Sequence, residues 1–303
     1  MLDSYDPKLK EKLENLFNKK ELPIYIQESH KQRPLILRSN PLKIKRKDLA
    51  RLLISRNTNI DPLEITPYTL IVYNSSVPLG ATPEYLSGYY CIQGASSLLP
   101  VINMDIQLNH TVIDMCAAPG LKSTHISSLL QNTGVLFCYE INNERCISLR
   151  SNLYRMGVTN SLIINSCATN ISIKADRILL DAPCSCTGVV SKDMGVINKP
   201  LNILVLTSLQ KRLILKGFDS LKAKGILVYS TCSVLTEENE DVVEYLLRKR
   251  KNAVLQVVSG VGVDGFVSFR GKNYHGNMKY CKRVYPHVHN MDGFFIAKIF
   301  KDK

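Results

Sequence analysis

The spacing of apolar residues changes character near residue 84. Before that point, Leu9, Leu13, Leu16 and Phe17 recur at helical intervals in a charged segment, so residues 1–22 read as one polar helix. The short apolar stretch Leu35–Leu37 follows and is stopped at Pro41. Residues 47–56 are amphipathic, with Leu49, Leu52 and Leu53 on one side and Arg51 and Arg56 on the other. Residues 69–73 have the β-branched and aromatic content of a strand, and 74–83 are rich in turn formers. This predicts a small α+β module over residues 1–83.

Beyond it, helical and strand patterns alternate. Residues 84–101 read as a helix. Strands are predicted at 111–115, 135–140, 161–165, 177–181 and 225–230, with helices at 123–131, 143–156 and 203–223 between them. Such alternation implies a parallel sheet with right-handed crossovers, a doubly wound Rossmann-like α/β domain over residues 84–303. After a helix at 236–250, residues 254–258 and 294–300 look like two closing strands that pair antiparallel.

Charge sharpens this picture. The chain holds 39 Lys and Arg against 26 Asp and Glu, a formal charge of +13, which favours a polyanionic partner. Nine basic residues and a single acid, Asp48, lie between Lys31 and Arg56. A second stretch, residues 265–291, carries five basic residues and no acid. Both runs are expected to form one electropositive surface that binds RNA, with Arg33, Arg38, Asn40, Lys43, Lys45, Arg46 and Lys47 as contacts in the first. No apolar run approaches the roughly 18–20 residues that span a bilayer, and residues 1–20 lack the apolar core of a signal peptide. A secreted or membrane-bound chain is therefore not expected.

The nine cysteines form no disulfide-like framework and no Cys-x-x-Cys pair. Cys184 and Cys186 make a solitary Cys-x-Cys, and His287 and His289 a solitary His-x-His; with no further ligands in view, no structural metal is expected. Reduced thiols in an intracellular protein are the natural expectation.

The candidate chemistry gathers at strand ends. The first strand of the α/β domain runs into Asp114-Met115-Cys116-Ala117-Ala118-Pro119-Gly120-Leu121-Lys122. In open α/β sheets ligands lie beyond the carboxyl ends of the strands, where small residues allow close approach. The loop is not a Walker loop, since Leu121 separates Gly120 from Lys122, and it lacks Gly-x-Gly-x-x-Gly. The second strand closes with Glu140, placed to accept hydrogen bonds from ribose hydroxyls. The fourth strand ends in Asp181-Ala182-Pro183-Cys184-Ser185-Cys186-Thr187-Gly188, and the fifth in Ser230-Thr231-Cys232-Ser233. Cys91, Cys138 and Cys146 suit a buried structural role. Cys184 and Cys232 stand where chemistry sits, and a thiolate there is a nucleophile.

These three motifs, in this order and spacing, resemble the Nop/Sun family of RNA cytosine carbon-5 methyltransferases. Similarity extends over residues 23–300. The segments Arg33–Lys43, Ser76–Leu86 and Tyr285–Phe295 resemble its eukaryotic nucleolar, large-subunit rRNA branch. The resemblance implies S-adenosylmethionine as methyl donor, held by Cys116, Ala117, Ala118, Pro119, Gly120, Leu121, Lys122, Glu140, Cys167 and Asp181. It implies Cys232 as nucleophile, Cys184 as the thiol that assists product release, and Asp181, in protonated form, as hydrogen-bond donor to the base. Its implied partners are large-subunit rRNA or its precursor and pre-ribosomal particles, in the nucleolus. Cys167 stands where the family usually has an acid, and Cys186 where it usually has Gly. A second reading rests on those two departures: an assembly factor that binds precursor rRNA without needing methylation. Transfer RNA as substrate is disfavoured by the Tyr285–Phe295 block.

Overall fold

The computed structural model describes residues 4–303; residues 1–3, where the first predicted helix begins, lie outside the described residues. Helix α1 (Pro7–Leu16) is opened by Asp6, whose carboxylate accepts from the N–H groups of Lys8 and Leu9, with Pro7 at the first helical position. The predicted single helix is in fact two. Phe17 turns extended, and the Asn18 side chain accepts from the N–H groups of Lys20 and Glu21, which starts α2 (Glu21–His30). Both helices bury Leu9, Leu13, Phe17 and Tyr25 against Val190, Val234, Leu235 and Tyr285 of the α/β domain.

The next elements are β1 (Leu35–Ser39), α3 (Arg46–Ile54), β2 (Thr58–Pro62), β3 (Thr69–Ser75), α4 (Pro83–Leu86) and β4 (Tyr90–Ile92). The four strands form an antiparallel sheet in the order β2-β3-β1-β4. The long helix predicted over residues 84–101 is therefore replaced by a one-turn helix, a turn and a strand. The turn hinges on Gly88, at φ +72°, where an added Cβ would meet the Arg155 carbonyl oxygen at 1.9 Å. The sheet thus runs to Ile92, past the expected boundary at 83, while α1 and α2 belong by packing to the α/β domain.

After α5 (Leu99–Ile102), the chain follows the predicted alternation: β5 (Thr111–Asp114), α6 (Leu121–Leu130), β6 (Val135–Tyr139), α7 (Asn143–Arg155), β7 (Ser161–Ile164), β8 (Ala175–Asp181), α8 (Ile203–Asp219), β9 (Leu221–Thr231) and α9 (Glu240–Lys249). The remaining strands are β10 (Ala253–Gln256), β11 (Val263–Asp264), the small hairpin β12 (Ser268–Phe269) and β13 (Lys272–Asn273), β14 (Lys282–Val284) and, after α10 (Pro286–His289), β15 (Phe294–Lys301). The sheet order is β11-β14-β15-β9-β8-β5-β6-β7, with β10 pairing β15. Strands β5 to β9 are mutually parallel, and β15 pairs antiparallel with β9, β10 and β14.

Side chains alternate across this sheet. Ile113, Ile178 and Leu180 join one core with Leu213 and Phe218 of α8, whereas Val112, Leu179 and Val228 join a second with Ile126 of α6 and Leu149 of α7. Both faces are thus covered, as a parallel sheet requires. The chain winds outward through β5, β6 and β7, then returns to β8 on the other side of β5. Strand order reverses at this point, which opens a crevice beyond the carboxyl ends.

Candidate active site

A cavity of about 410 Å³ occupies that crevice. Its wall includes Cys116, Glu140, Cys167, Asp181, Cys184 and Cys232. Five strand ends far apart in sequence therefore converge there. Of the loop after β5, Met115, Cys116 and Ala118 reach the cavity. Ala117 instead donates its N–H to the Tyr139 carbonyl, and the Pro119 carbonyl accepts from Asn152. Gly120 caps α6 at φ +100°, with space for a Cβ closed by Leu149 at 3.0 Å. Leu121 faces a different cleft, and Lys122 reaches Asp181.

Asp181 is held from both sides. Lys122 Nζ lies 2.6 Å from Oδ2, and the Ser230 hydroxyl donates to Oδ1 at 2.7 Å. Two donors on its two oxygens, one of them cationic, suit a carboxylate that accepts hydrogen bonds. Both Asp181 oxygens thus already face a donor, and a hydrogen bond to the base would be made beside these contacts. Glu140 accepts from the Asn142 N–H at 2.9 Å, and Arg145 stands 3.5 Å from its other oxygen. Behind the cavity, burial raises the Asp114 pKa to about 6 against the opposing Ser123 hydrogen bond. Burial, with the charges of Asp114, Asp181 and Glu140, pushes the Cys116 thiol well up.

The thiols form a closer group than expected. Cys232 Sγ is 3.3 Å from Cys184 Sγ and 3.4 Å from Cys186 Sγ. Hydrogen bonds from Cys184 and Cys232 lower the Cys186 pKa to about 3. Cys184 is pushed up by its hydrogen bonds to Cys186 and Cys232 and by burial. At Cys232 the Cys184 contact draws the pKa down, but the contact with Cys186, burial and the Cys186 charge together drive it up. The three sulfurs are close enough to share protons, so each shift belongs to the group as a whole.

Sequence reasoning missed the support for this group. Glu238 is fully buried and accepts from the Ser185 N–H at 2.9 Å, from the Ser185 hydroxyl, and from Gln210 at 3.0 Å. Gln210 also donates to the Pro183 carbonyl. Glu238 lies in the acidic run Glu237-Glu238-Asn239-Glu240 at a helix start, which reads as solvated; its burial has no signal in the pattern. Cys91, Cys138 and Cys146 are buried, as expected of structural cysteines.

The basic residues divide sharply. Arg38 is buried, donating to the Leu121 carbonyl at 2.9 Å and the Thr124 hydroxyl at 2.7 Å. Asn40 is buried, donating to the Gly88 and Met156 carbonyls. Neither is exposed to a nucleic acid, which corrects their assignment as RNA contacts. Arg33 donates to Asn290 and to the Glu28 carbonyl. Lys43 bonds the Ser87 and Arg155 carbonyls, and Arg46 lies 3.8 Å from Glu64. Lys45 and Lys47 are exposed. In the second basic stretch, Arg283 is buried against Glu240, while Lys272 and Lys282 pair with Asp241 and Asp264. That stretch is therefore not the open positive surface expected of it.

The family model for the 16S rRNA methyltransferases RsmB/F matches residues 101–300, and the chain belongs to that family. It is 46% identical over 309 residues to the 26S rRNA (cytosine-C(5))-methyltransferase nsun-1 of Caenorhabditis elegans, covering 98% of this chain and 46% of that protein. It is 46% identical over 308 residues to the 28S rRNA (cytosine(4447)-C(5))-methyltransferase of Homo sapiens, covering 98% of this chain and 38% of that one. The chain thus spans about half the length of these curated relatives or less. Among solved structures, a methyltransferase homolog protein from Pyrococcus horikoshii matches with a TM-score of 0.89 at 32% identity, over 99% of this chain and 98% of that one. NSun6 from Pyrococcus horikoshii, solved with SFG, matches with a TM-score of 0.89 at 25% identity over all of both chains.

Proposed function

We propose that this chain methylates carbon-5 of a cytosine in large-subunit rRNA through a covalent cysteine–cytosine adduct. The observation that carries the reading is the pair Cys184 and Cys232, 3.3 Å apart on neighbouring strand ends, in one cavity with Asp181 and Glu140. The 26S and 28S rRNA relatives support the choice of RNA. Pre-ribosomal particles in the nucleolus follow as the working environment.

The cavity fits S-adenosylmethionine. Glu140 and Asp181 offer carboxylates to hydroxyl and ammonium groups, and Ala168, Leu209 and Leu213 supply apolar wall for a purine. Its volume lies within the range of small-molecule sites. When bound, this group supplies an electrophilic methyl on a sulfonium. Cys232 gives up its thiol proton to solvent in the cavity and its sulfur adds to carbon-6 of cytosine, which makes carbon-5 nucleophilic toward that methyl. Asp181, held in place by Lys122 and Ser230, hydrogen-bonds the exocyclic amine of the base and fixes the ring. Solvent in the cavity then takes the carbon-5 proton, the carbon-6–sulfur bond breaks and the ring is restored, with Cys184 assisting the release of Cys232. The target base leaves its stack to reach these groups, at a cost of about a few kcal/mol. Phosphate contacts from Lys45 and Lys47 help to offset it.

Trapping tests the assignment. Cys184→Ala is expected to accumulate a covalent protein–RNA complex, seen as a retarded band on a denaturing gel, whereas Cys232→Ala forms none and does not methylate. Because Cys186 also touches Cys232, the double variant Cys184→Ala/Cys186→Gly should trap at least as well. Trapping in Cys232→Ala but not in Cys184→Ala would reverse the two roles. Trapping in neither, with RNA still bound, would overturn the reading.

A further inference from the structure

We propose that Cys184, Cys186 and Cys232 form a three-thiolate site for one thiophilic d¹⁰ cation of the zinc class. Sequence left Cys184-x-Cys186 as a pair with no further ligand. The fold brings the third from a neighbouring strand end. All three Sγ atoms lie within 4.8 Å of one another, the one such group of three or more His, Cys, Asp or Glu ligand atoms among the described residues. Thiolate sulfur is the ligand that selects zinc-like and other soft ions over hard ones.

The methylation chemistry leaves Cys186 without a task, yet its placement is costly and closely controlled. Its φ of +59° lies in the left-handed region, which side chains with a Cβ rarely adopt. The turn that imposes it is fixed on both sides. The Val189 N–H bonds the Cys186 carbonyl at 3.0 Å, and the Gly188 N–H bonds the Cys232 carbonyl at 2.9 Å. Thr187 Oγ1 meets Ser233 Oγ at 3.1 Å and accepts from the Val234 N–H at 3.1 Å. Strain persists where the surroundings over-determine it, and such places cluster at ligand sites. Zinc–sulfur bonds of about 2.3 Å put tetrahedral ligands about 3.8 Å apart. The two observed sulfur separations of 3.3 and 3.4 Å need only a few tenths of an ångström of side-chain adjustment. Three protein ligands leave the fourth position to water from the cavity that all three residues line. The thiol protons pass to solvent on binding. A bound ion would also occupy Cys232, so metal would compete with any chemistry at that sulfur.

The site does not depend on the methylation reading, and binding alone tests it. The full chain, reduced with a phosphine that does not ligate as a thiol, is titrated with Cd²⁺. A sulfur-to-cadmium charge-transfer band saturating at one equivalent is expected, and Zn²⁺ should compete for the same site. Bound Cd²⁺ should protect Cys184, Cys186 and Cys232 from iodoacetamide, read by peptide mass spectrometry, but leave Cys116 and Cys167 unprotected. Cys186→Gly suits the observed backbone and keeps the fold. It should weaken Cd²⁺ binding at least about tenfold, while Cys167→Ser leaves binding unchanged. No stoichiometric band, equal affinity in Cys186→Gly, or protection centred on Cys116 and Cys167 would each overturn the proposal.

Discussion

The strand ends around Cys232 and the basic stretch around Arg38 were equally prominent in the sequence, but the fold treats them in opposite ways. At the strand ends, Cys116, Glu140, Cys167, Asp181, Cys184 and Cys232 all meet one cavity. In the basic stretch, Arg38 and Asn40 are buried, and Arg33 and Lys43 bond neighbouring groups of the fold. The difference lies in what each pattern encodes. Strand order and the sheet's winding decide where a strand-end residue goes, and both can be read from alternation. Whether a cation meets solvent or a buried carbonyl depends on tertiary packing, which charge counting does not see. Charge runs mark a polyanion partner only after their internal partners are subtracted.

Substitutions can break this contrast. The largest effect is expected at Arg283, whose side chain is 1% exposed beside a fully buried Glu240. Arg283→Met leaves that carboxylate unpaired and should cost about 3–5 kcal/mol in denaturant unfolding. A loss below about 1 kcal/mol would restore Arg283 to the list of surface cations.

Next in size is a pH effect at the strand ends. Asp114 titrates at about 6 when folded against an ordinary value of 3.8. A raised carboxyl pKa means the folded state holds its proton longer, so stability is highest below about 4 and falls as pH rises toward and through 6. The full loss is about 3 kcal/mol. Asp114→Asn should flatten this descent; a wild-type slope in the variant would place the titrating group elsewhere.

Arg38→Ala should cost about 2 kcal/mol, because the Leu121 carbonyl and Thr124 hydroxyl lose their partner inside the protein. The smallest effect on folding is expected for Lys45→Ala with Lys47→Ala. Unfolding should stay within about 0.5 kcal/mol, while the salt slope of RNA binding falls by about 1 to 2. An unchanged slope would move the RNA path to another face.

Much of the site was legible because its residues sit at strand termini. The alternation from residue 111 onward gave β5, β6, β7, β8 and β9 nearly in place, and with them the five ends that line the cavity. The antiparallel pairing of β10 with β15 was legible too. The helix expected over residues 84–101 failed because its apolar residues fit either period, and the decisive feature, the turn at Gly88 against Arg155, is tertiary. Glu238 escaped notice for the converse reason: an acidic run at a helix start looks solvated, yet this carboxylate organises the Pro183–Ser185 backbone from inside. The proximity of Cys186 to Cys232 depends on a left-handed turn that no periodicity announces.

Arg38 also sets the size of the unit that folds. Its guanidinium reaches from β1 to the Leu121 carbonyl, one residue past the glycine that caps α6. Residues 101–300 hold the whole matched catalytic region, yet excising them would strip that carbonyl and Thr124 of their interior donor. Unfolding of the four-stranded sheet and loosening of the Gly120 turn are therefore expected to be linked. Hydrogen exchange should report them as one foldon, with amide protection in β1 and at the start of α6 lost together.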